Sequence, residues 1–229
     1  MGNRRQKHEQ REMRFETVRW GGARQGAGRK PLPKSKRRIA HRSREAIGLQ
    51  QPVHVTWRVR DDVWNLRSRR SFRPMLRAFA AVSDRWGVRL THFVVLGNHL
   101  HVIVEADGAG ALARAMKALA IRLAKGLNRL MGRKGALFTD RYHTRVLRSP
   151  TEVLHAIRYV LGNANVHAAR QGRPTSLRAD AYAAGYGVND GSDASWRALA
   201  DDGPPIAPPR SWLMRVGWKV AAARTARPA

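Results

Sequence analysis

The chain has 229 residues, with 44 Lys or Arg against 16 Asp or Glu, a net charge of +28, and no cysteine. That length allows one domain with extensions, and the missing Cys excludes thiolate nucleophiles, disulfides and cysteine zinc sites. So basic a surface repels itself unless it meets a polyanion, which makes nucleic acid the expected partner. A membrane is the competing polyanion, but no isolated amphipathic basic helix is available to lie on one.

Residues 1–8 are polar and lack a signal-peptide core, and no apolar run approaches the length of a membrane span. Gln6 stands where a myristoylation pattern needs Ser or Thr. The expectation is a soluble, cytoplasmic, nucleoid-associated protein, monomeric or homodimeric. Residues 1–50 hold 15 Lys or Arg and 4 Glu and read as a flexible basic arm. Inside it, Arg24, Arg29 and Lys30 lie in a glycine-rich stretch. An extended, glycine-flanked Arg can enter a narrow minor groove closed to a helix.

Residues 53–60 alternate cleanly and predict a first strand, with Val53, Val55, Trp57 and Val59 on the core face. Helical spacing of Phe72, Met75, Leu76, Phe79 and Val82 predicts a helix over 71–86, stopped by Gly87. Residues 88–96 and 99–105 follow as a strand hairpin around Gly97-Asn98. A basic helix is expected over 111–130 and an extended segment over 137–147. Ser149-Pro150-Thr151-Glu152 then opens a helix that runs to about residue 169. The order is that of an α+β, ferredoxin-like split βαβ fold: an antiparallel sheet with helices over one face and an added C-terminal helix. Beyond Gly172 the chain is rich in Gly, Pro and Asp, and resumes apolar character at 211–218, a short helix able to dock on the domain.

The chemistry concentrates in the third strand. His99 and His101 are two apart, so both side chains leave the same face, with Cα atoms roughly 6.5–7 Å apart. Two neutral imidazoles so placed can share one cation and leave positions open for a third ligand, water or a phosphate oxygen. In the last helix Tyr159 and Asn163 are four apart and share a face, so the Asn163 amide could supply the third ligand and Tyr159 its hydroxyl. Glu105 lies on the histidine face but roughly 13 Å along the strand from His101, too far to share an ion. His54, His155 and His167 are expected to contact DNA or cap structure.

His99-Leu100-His101 after an apolar strand, with Tyr159-Val160-Leu161-Gly162-Asn163 in a late helix, resembles the single-tyrosine HUH transposases. The REP-associated tyrosine transposase-like proteins are the group most similar in pattern. Val55-Thr56-Trp57-Arg58, the segment from Leu137 through Arg141 to His143, and Arg158 beside Tyr159 add to the likeness, which spans about 53–170. It implies a basic arm (1–50), an HUH transposase domain (51–171) and a tail (172–229). It also implies Mg²⁺ or Mn²⁺ on His99, His101 and Asn163, with Tyr159 as the catalytic nucleophile forming a 5′-phosphotyrosine link. The substrate would be single-stranded or hairpin DNA, held by Arg58, Arg141 and Arg158 beside the arm cations. Ala164-Asn165 stands where related helices continue with Asn-Pro, so Asn165 is an alternative ligand, and Tyr142 is a rival nucleophile. A non-catalytic nucleic-acid-binding module on the same fold is the competing function.

Overall fold

The computed structural model describes residues 45–170, 172, 180–187 and 203–226, all within a compact unit running from Ser43 to Ala229. Arg24, Arg29 and Lys30 lie outside the described residues. β1 (Gln51–Arg58) takes the centre of the sheet because its two faces suit two environments: Val53, Val55 and Trp57 point one way, His54, Thr56 and Arg58 the other. It pairs antiparallel with β4 (His99–Ala106) on one side and β5 (His143–Val146) on the other. β3 (Val88–Val95) and β4 form the expected hairpin, closed by Leu96 donating its N–H to the His99 carbonyl at 2.8 Å. With β2 (Asp84–Arg85) at the edge, the order across the sheet is β2-β3-β4-β1-β5, the split βαβ arrangement with β1 threaded between later strands. A final strand, β6 (Ala183–Gly185), pairs with β3.

α1 (Arg69–Ala80) and α2 (Ala109–Met131) cover one face and enclose the larger core, with Val55, Trp57, Phe72, Phe79, Phe93, Leu100, Val102 and Leu119 among its buried members. α1 opens on Ser68, whose Oγ accepts from the Ser71 N–H, and α2 ends on Gly132 in the left-handed conformation.

Helices cover both faces, where the sequence pattern predicts one. α3 (Pro150–Arg170) and α4 (Trp218–Thr225), joined to a preceding π-helical turn (Leu213–Gly217), pack on the opposite face, where Val153, Ile157 and Val160 of α3 cluster with Val94, Leu96 and Ile103. α3 begins on a reciprocal capping box: Glu152 donates its N–H to Ser149 Oγ and accepts the Ser149 N–H, each at 3.2 Å. The Arg148 and Ser149 N–H groups, with the Arg145 guanidinium, hold the Glu152 carboxyl below its usual range.

Two further expectations are revised. The first helix stops at Ala80 rather than near Trp86, because Asp84 and Arg85 are drawn into strand pairing with β3, and Trp86 and Gly87 then adopt positive φ, 56° and 74°. Two consecutive left-handed residues make the tight turn of a hairpin, which joins β2 (Asp84–Arg85) to β3. The segment 137–147 is strand only from His143. Phe138 makes an isolated bridge to Val59, and Asp140 then turns the chain by accepting the Arg141 N–H at 2.7 Å.

A bulge between Leu90 and His92 re-phases β3. Phe93 and Val95 therefore enter the α1–α2 core, while Val94 joins the α3 side. On that side β6 is built of small residues for a steric reason: a Cβ on Gly185 would sit 2.4 Å from the His92 ring. The tail is tied down at two more points. Arg67 makes a two-pronged ion pair with Asp180, at 2.7 and 2.8 Å. Glu105, 1 % exposed, accepts the backbone N–H groups of Arg210 and Ser211 at 2.6 and 2.7 Å.

Replacing Glu105 by Ala removes both acceptors and should cost about 1–3 kcal/mol. In hydrogen exchange the amides of 210–225 should lose protection, while those of β1 and β4 keep theirs.

Candidate active site

β1 and β4 bring the site together through their register. Thr56 lies directly opposite His101, and Arg58 opposite His99. Side chains directly opposed in an antiparallel pair share a face, so His99, His101, Thr56 and Arg58 form one polar patch, flanked on β5 by His143 and Arg145. His101 is the buried member, 4 % exposed. Its Nδ1 meets Thr56 Oγ1 at 3.0 Å and His54 Nε2 at 3.1 Å, and its ring stacks on the His54 ring with centroids 5.2 Å apart. The His99 ring stands edge-on to His101 at 5.1 Å, and its Nδ1 lies 2.8 Å from Asn98 Oδ1. That contact orients the His99 ring beside the turn.

α3 supplies the rest. Tyr159 meets His101 edge-on at 5.2 Å and His54 at 5.8 Å, yet the residue remains 47 % exposed. A phenol packed by its edge and open at its tip can reach a ligand from solvent. Tyr142 lies elsewhere: its ring packs edge-on against Trp57 at 5.1 Å, within the α1–α2 core on the other side of the sheet. Asn163 is 1 % exposed, and its Nδ2 has no hydrogen-bond partner among the described residues, whereas Asn165 is exposed. The nitrogen and oxygen of a side-chain amide exchange places on a half-turn, so this buried end is the kind of group a bound cation would satisfy. Among the described residues, no group of three His, Cys, Asp or Glu is placed to hold a metal. Two imidazoles and an amide oxygen, the donors expected of His99, His101 and Asn163, would be a set chemically suited to a divalent cation.

Arg58, Arg141 and Arg158 are all exposed. Arg58 is also within 3.5 Å of Asp61, a pair too solvated to immobilise it. Glu105 is occupied by the tail, and His155 is exposed on α3.

His54 is the participant that sequence reasoning assigns elsewhere. Alternation along β1 already places it with Thr56 opposite the valines, but only the pairing register shows that this face is the histidine face. Burial and then the nearby Arg145 charge lower its pKa from 6.5 to about 4, so the ring is neutral at pH 7. Full burial lowers His92 to about 3.

No family model matches the chain, and no curated protein matches it. Solved structures similar in fold include a REP-associated tyrosine transposase bound to a REP hairpin. It is 15 % identical, with 56 % of this chain and 74 % of that chain covered and a TM-score of 0.47. Another is a candidate transposase from Deinococcus radiodurans R1, 12 % identical, with 61 % and 100 % covered and a TM-score of 0.37.

The two depressed histidines set a pH dependence. Unfolded, each binds a proton near pH 6.5; folded, neither does until about pH 4 or 3. The unfolded chain therefore binds more protons in that window, and stability present above pH 6.5 is lost as pH falls toward 4. The urea midpoint should drop between pH 7 and pH 5, and His92→Asn should remove about half of that drop.

Proposed function

We propose that the chain is a transposase-like, DNA-nicking and strand-transferring enzyme that acts on single-stranded or hairpin DNA. The observation that carries this reading is the meeting of Tyr159, half exposed, with the ring of His101. The two residues lie 58 positions apart in the chain and meet at the polar patch of the sheet face. A structural tyrosine there would bury its ring among the aliphatic residues of α3 instead of resting its edge on two imidazoles.

His99, His101 and Asn163 would hold Mg²⁺ or Mn²⁺. When bound, the cation supplies charge neutralisation at the scissile phosphate and polarises its P–O bonds. The protein supplies nucleophile and alignment. The Tyr159 oxygen forms a bond to phosphorus while the bond from phosphorus to the 3′ oxygen breaks. The phenolic proton is lost, the 3′ oxygen gains one, and the 5′ end remains as a phosphotyrosine ester. One phosphoester replaces another, so the 3′-OH of a second strand can reverse the step and join without ATP. His54 and Thr56 hold the His101 ring from behind, and Arg58, Arg141 and Arg158 are the cations we assign to the DNA backbone.

Tyr159→Phe keeps the ring packing and removes the nucleophile. With labelled single-stranded or hairpin DNA and Mn²⁺, wild type should give a covalent adduct mapping to Tyr159, and the variant none at near-wild-type affinity. His99→Ala should lower adduct formation at least ~100-fold. An adduct retained by Tyr159→Phe would refute the assignment. DNA binding without an adduct, in wild type and across substrates, would favour a binding module.

A further inference from the structure

The C-terminal part of the chain builds a second feature on the far side of the sheet edge from β1. The loop after β6, the Pro208-Pro209 pair and the helical segment from Met214 to Lys219 enclose a cleft of about 400 Å³. Pockets for small ligands run from roughly 300 to 1,000 Å³, so this one admits a base with its sugar. Its lining includes Tyr186, Trp218, Arg215 and Lys219, and no acidic side chain among the described residues.

Four details describe how the lining is arranged. Arg215 and Lys219 are four apart on continuous helical turns, so both cations lie on one face. Trp218 donates its indole N–H to the Met214 carbonyl at 3.0 Å, which fixes the ring, and Lys219 Nζ sits 5.7 Å from that ring. The segment Leu213–Gly217 is a π-helical turn, a costly geometry that recurs at functional sites. Tyr186, on the opposite wall, is 45 % exposed although its N–H is anchored to the Thr91 carbonyl at 3.1 Å.

Aromatic rings beside cations match a single nucleic-acid strand, whose bases offer flat faces and whose phosphates need neutralising. An acidic peptide would need the cations alone. We infer that this cleft binds one or two unpaired nucleotides of the DNA substrate, the bases on Tyr186 and Trp218 and the phosphates on Arg215 and Lys219. The inference rests on the reading that the substrate contains single-stranded DNA. α3 joins the two places physically: it carries Tyr159 against the histidines, and its Val160 and Leu161 pack in the same cluster as Met214 and Trp218.

The test uses the full chain, a labelled oligothymidine of about ten nucleotides and the variants Tyr186→Ala and Arg215→Ala/Lys219→Ala. Thermal melts of both variants serve as the folding control. Tyr186→Ala should weaken binding at least ~5-fold, the loss of one stacked base. The double variant should reduce the slope of log affinity against log salt by about 1.4, two phosphates on a single strand. Photo-crosslinks from iodouracil-substituted strand should map to the peptides holding Tyr186 or Trp218. Folded variants that bind and crosslink like wild type would overturn the cleft assignment and leave the catalytic proposal standing. A wild-type chain that binds no single strand but does bind hairpin duplex would instead remove the premise, and this inference with it.

Discussion

The register between β1 and β4 is the constraint on which the rest depends. With Thr56 opposite His101, Val55 and Val102 face α1 and α2 while the two metal-ligand candidates face α3. A slip of one residue would exchange those faces, burying imidazoles in the main core and exposing valines. The apolar half of each strand thus enforces the geometry of its polar half. Burial of Val53, Val55, Trp57, Leu100, Val102 and Val104, each at most 2 % exposed, keeps the register from drifting.

On the other face the sheet is divided rather than uniformly covered. Ile103, Val94 and Leu96 sit under α3 and the C-terminal segment, whereas His54, Thr56, Arg58, His99 and His101 lie together at the polar part. α3 spans both, so one helix is core on one side and site on the other. Its capping box fixes where it starts, and from that start Val160 falls into the core while Tyr159, one residue earlier, rests against His101. The assignment of the nucleophile therefore depends on helix phase, and Tyr142 is separated from the histidines by the sheet itself.

The tail shares this face. Glu105 leaves the same side of β4 as His99 and His101, but spends both carboxylate oxygens on Arg210 and Ser211. Along one strand the residues on one side go from the two candidate metal ligands at the start to structural anchoring near the end. Small residues in β6 let the tail approach His92 closely, and the Arg67–Asp180 pair completes the attachment. The aromatic and basic cleft is lined by this C-terminal segment, whose Met214 and Trp218 share a cluster with Val160 and Leu161 of α3.

The sequence by itself determined the order of β1, α1, β3, β4, α2, β5 and α3 without the short β2 and β6, the histidine pair on one face of β4, the hairpin at Gly97-Asn98 and the start of α3 at Pro150. Each follows from local physics: side-chain alternation, helical spacing, turn-forming residues and a capping box. It also placed Tyr159 and Asn163 on one helix without showing what that helix meets. Only the tertiary structure decided that His54 joins His101, that Tyr142 is turned to the other core, that Asn163 is buried while Asn165 is exposed, and that the second face carries helices. These outcomes depend on strand register, on the β3 bulge and on which face a helix covers. All three are set by pairing between residues far apart in the chain, which no local pattern encodes.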